Sequence, residues 1–269
     1  MSVLGIYSFP KSGNTWVRSI LGALLERGRE DVPDLHLHSL SDGGVYNDFR
    51  FYKHHSGQFL TEWNGETLNT THVIHIRRNP LDVFLSYLNY QSNNVRSSAL
   101  IPYETVEDIL GTDLFDMYFH TFTLTSHVDK FQRVTRDYFS NNLFWMNYCK
   151  THKNAISIRY EDLLHDTEKT LDFLNGWLDL EPGQLTGLIE KASGRTVKDG
   201  KFFWKQQEKN YLNYLSDEQI ALFLKYRGDD AAKIGYGQNY MKKRPGPDRD
   251  HTTNQSTSFL FGFIKKPAK

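Results

Sequence analysis

Apolar and polar positions follow two rhythms along this chain, and the switches between them mark its elements. Val3, Leu4, Ile6, Tyr7 and Phe9 form a short apolar run that stops at Pro10, which predicts a buried strand. After the turn Lys11-Ser12-Gly13-Asn14, the residues Trp16, Val17, Ile20, Leu21, Leu24 and Leu25 recur at helical spacing, with Gly28 placed as a C-cap. Val73, Ile74, His75 and Ile76 predict a second strand. It runs through Arg77-Arg78-Asn79-Pro80 into a helix carrying Val83, Phe84, Tyr87 and Leu88, with Pro80 in its first turn, where a missing N–H costs little. A third strand is expected from Ala155 to Tyr160, followed by Glu161-Asp162-Leu163-Leu164 and one helix from about Thr167 to Leu178. A strand leading into a helix three times over predicts a parallel α/β sheet. Between the first two core strands lies a long crossover with an extra extended piece, Phe49 to His55. Residues 92–153 have a mostly helical pattern rich in Ser, Thr, Tyr and Asn, expected over the C-terminal edge of the sheet where ligands sit in open α/β folds. Residues 205–235 are again helical, with Leu215, Ile220, Leu222, Phe223 and Leu224.

A length of 269 residues allows one large domain or two small ones. We expect one domain over residues 1–241 and an arm or flap over 242–269. With 39 % hydrophobic and 24 % charged residues, the chain can bury a sizeable core and falls outside the disordered range. Its 32 Lys and Arg balance its 32 Asp and Glu, so no global charge draws it to nucleic acid or to an anionic membrane, and any basic function must be local. A single cysteine, Cys149, excludes an internal disulfide and a cysteine-based zinc site, and fits a reducing compartment. No apolar run approaches the ~18 residues of a membrane span. The apolar start is broken at Pro10 and Lys11, unlike a signal peptide, so a soluble cytoplasmic protein is expected.

Two segments carry candidate chemistry. In F-P-K-S-G-N-T-W, residues 9–16, a strand ends and a helix begins, so unpaired N–H groups and a partial positive charge face one point. Gly13 lets the backbone approach an anion, Lys11 adds a charge, and Ser12 and Thr15 add hydroxyls. The nucleotide-triphosphatase pattern G-x-x-x-x-G-K-[ST] is absent, because Lys11 precedes the glycine. An ordinary strand-to-helix turn capped by Asn14 or Thr15 fits the same residues. In R-R-N-P-L-D-V-F-L-S, residues 77–86, one guanidinium (Arg78) and one hydroxyl (Ser86) are spaced to grip a second phosphate, since the planar guanidinium fork binds phosphate oxygens in pairs. Taken alone, this segment is better accounted for by a surface salt bridge at Arg78 and a packing role for Ser86. No metal site is expected: His36 and His38 would share one face of an extended stretch, but no third ligand follows at a zinc-like spacing.

Together the two segments resemble the PAPS-dependent sulfotransferases of the cytosolic type, PAPS being 3′-phosphoadenylyl sulfate. In that family a P-K-S-G-[TN]-T-W loop holds the 5′-phosphosulfate and an R-N-P-x-D-x-x-x-S segment holds the 3′-phosphate. R-Y-E-D-L at Arg159 to Leu163 and F-Y-K-H-H at Phe51 to His55 resemble two further family segments, as does Tyr214-Leu215-Ser216-Asp217-Glu218 near the end. The likeness spans most of residues 2–240. It implies a three-layer α/β/α sandwich with a mostly parallel central sheet, related to nucleotide kinases. It further implies sulfuryl transfer from PAPS to a hydroxyl or amine of a small-molecule acceptor, with 3′-phosphoadenosine 5′-phosphate (PAP) as product and no metal. The pocket between residues 90 and 150 is expected to suit a phenolic or polyhydroxylated natural product.

Carried over position by position, the resemblance makes Lys11 the residue that neutralises charge on the bridging oxygen. Ser12, Gly13, Asn14 and Thr15 bind the 5′-phosphate, Trp16 stacks on the adenine and Tyr160 meets its edge. Arg78 and Ser86 take the 3′-phosphate. His55 becomes the general base, a role suited to a neutral imidazole near pH 7. Lys53, on the same strand face, reaches the sulfuryl oxygens, while His54 points the other way. The family's late R-K-G clamp is altered here to Arg195-Thr196-Val197-Lys198-Asp199-Gly200-Lys201, which leaves Lys198 and Lys201 as candidates for the 3′-phosphate. The dimer motif of animal members is missing after Trp204, so any homo-oligomer would form differently. Two other readings remain open: an ATP-dependent phosphotransferase, disfavoured by the missing G-K-[ST], and a non-catalytic PAP-binding module.

Overall fold

A computed structural model describes residues 1–26, 28–94, 103–127, 136–196 and 207–242. Its centre is a five-stranded sheet in the order β2-β3-β1-β6-β7. These strands are β1 (Ser2–Ser8), β2 (Val45–Tyr46), β3 (Phe49–His54), β6 (His72–Arg77) and β7 (Ala155–Arg159); β4 (Glu62–Trp63) and β5 (Glu66–Thr67) form a separate hairpin. All neighbours in the main sheet run parallel except β2, which folds back on β3 through Asn47 and Asp48, both at positive φ as a tight two-residue hairpin demands. The helices are α1 (Asn14–Leu24), α2 (Pro80–Asn94), α3 (Asp113–Thr125), α4 (Tyr138–Thr151), α5 (Tyr160–His165), α6 (Thr167–Leu171), α7 (Phe173–Leu178), α8 (Gln184–Thr196), α9 (Asp217–Lys233) and α10 (Gln238–Lys242).

Alternation along β1 makes the layers. Leu4 and Ile6 point to one face, where Val17, Ile20, Leu21 and Leu24 of α1 meet Leu188, Ile189 and Ala192 of α8. Val3 and Tyr7 point to the other, against Tyr52, Leu35, Leu68 and Trp145 of α4. Each fully buried aliphatic side chain of α1 contributes about 1.5–3 kcal/mol of transfer free energy, which commits this helix to the sheet. Gly5 is required at the centre of β1: a β-carbon there would lie 2.7 Å from the Tyr52 ring, whose hydroxyl pairs with that of Tyr7 and, at 2.7 Å, with Thr70 Oγ1. The third cluster joins α2, α3, α4 and α9 around Phe84, Phe119, Phe122 and Phe223.

The expected parallel sheet with helices on both faces is present, and four details differ. The extended piece after the first helix is not an accessory of the crossover but a full member of the sheet, paired with β1 from Ser2↔Phe49 to Tyr7↔His54. Gly28 does not cap α1, which ends at Leu24 with Leu25 as its C-cap; the extended backbone of Gly28 instead opens a short 3₁₀ turn, Arg29–Asp31, and its N–H donates to Asp31 Oδ2. The third strand stops at Arg159, so that Tyr160 begins α5. The single helix foreseen over 167–178 is broken at Asp172 into α6 and α7. Lys198, Lys201 and the arm expected over 242–269, save its first residue, lie outside the described residues.

Candidate active site

The candidate residues in the described segments come from the C-terminal ends of the parallel strands, from the turns that leave them and from the helices that follow those turns, the edge at which open α/β sheets hold ligands. The turn after β1 has an unusual backbone. Lys11 and Gly13 both have positive φ, at 67° and 102°. A β-carbon on Gly13 would meet the Tyr160 ring at 2.3 Å, so only glycine lets α5 close against this turn. At the start of α1 no side chain caps the helix and the first turn holds no acid, whereas Thr112, Asp137 and Ser216 cap α3, α4 and α9. The first N–H groups of a helix have no partner within it, so here they stay directed at the cleft. Ser12 is fully buried and its hydroxyl has no hydrogen-bond partner. Asn14 is committed elsewhere, donating from Nδ2 to Ser8 Oγ at 2.9 Å and bracing the turn against its own strand.

Beside this turn stands Arg78, just past the end of β6 and 5 % exposed. Its guanidinium donates to the Lys11 carbonyl and to the Gln207 carbonyl, both at 3.4 Å, and lies 4.2 Å above the Tyr160 ring. Its Nε is buried without a partner. The second basic segment therefore abuts the first across Tyr160. Ser86 is buried on α2, one turn beyond Asp82, and Trp16 is half-buried beside α6, its Nε1 donating to Thr167 Oγ1 at 3.4 Å.

Three residues inside the quoted segments act as tethers, a part that sequence reasoning assigned to none of them. Asn79 Oδ1 accepts the Leu81 N–H at 2.9 Å and so starts α2. Asp82 accepts the backbone N–H groups of Lys209 at 2.8 Å and Tyr211 at 3.0 Å, holding the chain that returns to Arg78. Burial pushes the Asp82 carboxyl up to about 7, against the pull of Arg78. Glu161, 1 % exposed, accepts the Asn79 N–H at 2.9 Å and the Tyr236 hydroxyl at 2.6 Å, locking β6 to α5.

On the other side of Lys11, β3 delivers Lys53 and the adjoining His55. Lys53 is 3 % exposed and paired with Asp34 at 2.6 Å. Asp34 was not foreseen, for it lies in a stretch with no periodic signal. His55 Nδ1 lies 2.7 Å from the Ser8 carbonyl, an acceptor, which places the proton on Nδ1 and leaves Nε2 with a lone pair. The backbone N–H of His55 donates to His36 Nε2 at 3.4 Å, and its carbonyl accepts from Asn141 at 3.3 Å. Burial, then the neighbouring Lys53 charge, holds the His55 imidazole well below its ordinary range. His54 faces the opposite side of the sheet, its ring between His36 at 4.2 Å and Trp63 at 4.3 Å. Lys11 and Lys53 are each pulled down to about 8. Burial is the main cause for both; for Lys11 the Arg78 and Lys53 charges add to it, and for Lys53 Asp34 opposes it. The Lys11 ammonium lies 4.5 Å from the Tyr90 ring centre. The ends of β1, β3 and β6 thus bring together three cations, Lys11, Lys53 and Arg78, with one imidazole and the buried, unpartnered Ser12 hydroxyl and Arg78 Nε.

The chain is similar to known proteins along most of its length. A family model described as "Sulfotransferase domain" matches residues 3–235. Cytosolic sulfotransferase 15 of Arabidopsis thaliana is 24 % identical over 257 residues, covering 79 % of this chain and 67 % of that one. Among solved structures, mouse sulfotransferase SULT7A1 complexed with PAP superposes with a TM-score of 0.59 at 17 % identity, covering 86 % of this chain and 84 % of that one. Retinol dehydratase in complex with androsterone and inactive cofactor PAP gives 0.54 at 14 % identity, covering 85 % and 80 %. These two likenesses concern the fold.

Proposed function

The chain belongs to the sulfotransferase family, and on that premise we propose that it moves the sulfuryl group of PAPS to a hydroxyl or amine of a small-molecule acceptor, by in-line displacement with His55 as general base. The observation that carries the reading is the contact of Arg78 with Lys11. It joins two anion-binding segments far apart in sequence into one cleft, as a nucleotide with both a 5′ and a 3′ phosphate requires. The residues present fit this donor. Ser12 Oγ and Arg78 Nε are buried donors without partners, an arrangement that costs about 1–3 kcal/mol each unless a ligand satisfies them. Gly13 leaves room for backbone approach, and the names of the two solved relatives include PAP.

In this reading the N–H groups of Gly13, Asn14 and Thr15 and the Ser12 hydroxyl hold the 5′-phosphate, while Arg78 and Ser86 hold the 3′-phosphate. Trp16 and Tyr160 flank the adenine. When bound, PAPS supplies an activated sulfuryl group whose leaving group is the 5′-phosphate of PAP. His55 Nε2 accepts the proton of the acceptor hydroxyl or amine, and its low basicity keeps it neutral and ready at pH 7. Lys11 meets the charge that grows on the leaving oxygen, and Lys53 the charge on the sulfuryl oxygens; fixed cations in a desolvated site need no reorganisation to do so. Lys198 and Lys201 remain candidates for the 3′-phosphate. The plant relative is named cytosolic, which supports a cytoplasmic site of action; among the described residues no helix is long and apolar enough to cross a membrane.

Titration calorimetry with PAP against ADP tests the donor. PAP is expected to bind at least tenfold more tightly, and tighter ADP binding would overturn the assignment. Incubation with labelled PAPS and a panel of phenols, polyols and amines, read by mass spectrometry for an added SO₃, tests the transfer and identifies the acceptor class.

A further inference from the structure

The segment before the crossover carries a residue that the reaction as described does not use. Pro33, Asp34 and Leu35 lie along β3 as a short parallel strap: Lys53 N–H donates to the Pro33 carbonyl at 2.8 Å, and Leu35 N–H donates to the Lys53 carbonyl at 3.1 Å. This fixes the Asp34 carboxylate over Lys53, with Oδ2 at 2.6 Å from Nζ. Its other oxygen accepts the His36 N–H at 3.2 Å, and His36 Nε2 in turn accepts the His55 N–H. One carboxylate therefore touches Lys53 directly and reaches His55 through His36.

We infer that Asp34 is a positioning residue of the transfer site, holding Lys53 in place as an ammonium ion beside the turn that binds the donor. This rests on the reading of Lys53 given above. The charges that face Lys53 explain the need. Arg18 of α1 lies nearby with its guanidinium donating to the Val32 and Arg29 carbonyls, and Lys11 approaches from the turn after β1. His55, just past the end of β3, and His36, just past the strap, are imidazoles held below their ordinary range. Burial and these cations favour a neutral amine, and Asp34 opposes them; even so Lys53 reaches only about 8. Burial would push the Asp34 carboxyl up, but Lys53 and His55 outweigh it and hold the group below the usual carboxylate range. A neutral amine at Lys53 would no longer balance charge on a sulfuryl oxygen. The pairing also restricts where the long lysine side chain points.

The test replaces the charge and keeps the shape: Asp34→Asn. The Lys53 side chain is followed by carbon–proton NMR of protein labelled in lysine, its signal assigned by its loss in Lys53→Arg. The titration midpoint of Lys53 is expected to fall by about one pH unit or more, the scale on which a buried charge loses a close partner, and Asp34→Glu should restore it. Transfer at pH 9, with the acceptor found in the screen, should fall about ninefold or more in kcat, as the charged fraction of Lys53 drops from about 0.09 to about 0.01, with KM for PAPS within about threefold. The alkaline limb of the pH profile should move down with the midpoint. In a Lys53→Arg background, where the charge cannot be lost, Asp34→Asn should cost little further activity. A Lys53 midpoint unchanged in folded Asp34→Asn, or an equal loss in the Lys53→Arg background, overturns the inference. A midpoint that falls while transfer is unchanged demonstrates the hold of Asp34 on Lys53 and instead overturns the part given to Lys53 in the reaction.

Discussion

Raising the pH from 7 to 9.5 perturbs the proposed donor site mainly through Lys11, the cation in the turn after β1. Burial and the charges of Arg78 and Lys53 bring this amine down to about 8, so it is charged below that pH and neutral above it. A bound phosphate favours the charged form, and binding above pH 8 must first return a proton. At pH 9, one unit above the midpoint, about nine in ten Lys11 side chains are neutral. Recharging costs about 1.4 kcal/mol, a tenfold loss of affinity, and each further unit costs the same again. With a phosphate restoring the amine toward ~10.4, binding at pH 9 should take up about 0.9 proton. The phosphates' own second ionisation, near ~6, is complete by then and does not contribute. Calorimetry of PAP in two buffers of different ionisation enthalpy, at pH 7 and 9, gives the proton count from the difference in observed heat. Arginine keeps its charge throughout, so Lys11→Arg should flatten the pH dependence. A wild-type affinity constant from pH 7 to 9.5, with buffer-independent heat, would refute a desolvated Lys11 that meets the nucleotide.

Three further outcomes are expected from single substitutions. His55→Asn removes the proton acceptor and should lower transfer by about 10²–10⁴-fold while PAP affinity stays within about threefold; because the imidazole sits well below its ordinary range, wild-type transfer should persist below pH 6.5 before protonation silences it. Arg78→Ala should weaken PAP at least about tenfold and leave ADP nearly unaffected, since only the 3′-phosphate is assigned to the guanidinium, and parallel isotherms decide it. Gly13→Ala combines a positive φ of 102° with a β-carbon 2.3 Å from the Tyr160 ring. It should cost about 2–3 kcal/mol and lower the thermal midpoint by about 5–10 °C, with PAP binding lost as Tyr160 and Arg78 are displaced.

What the sequence made legible here is local. A strand, a glycine turn and an amphipathic helix can each be read within a dozen residues, because periods of 2 and 3.6 and the geometry of Gly and Pro are properties of the nearby backbone. The placement of β3 inside the sheet was not legible, and its composition shows why. Tyr52, Lys53 and His54 interrupt the apolar pattern of a buried strand. Each is tolerated only through a partner brought by the fold: Tyr7 and Thr70 for Tyr52, Asp34 for Lys53, the Ser56 N–H for His54. The break at Asp172 and the fate of Gly28 depend likewise on neighbours that periodicity does not name.

The same distinction divides the two basic segments. A cation meets an incoming anion with its full charge where no carboxylate of the protein pairs with it, yet Arg78 lies within electrostatic reach of the buried acid Asp82. Both oxygens of Asp82 are occupied by backbone N–H groups, and Glu161 is occupied by Asn79, Tyr236 and, at 3.7 Å, Arg159. The hydrogen bonds of Arg78 therefore go to carbonyls, which orient a guanidinium without cancelling its charge. In R-N-P-x-D and Y-E-D the asparagine and the acids thus build the walls and satisfy one another, while the arginine is left charged. By the same logic Lys53 is the exception, paired with a carboxylate because its deeper burial would otherwise remove its proton.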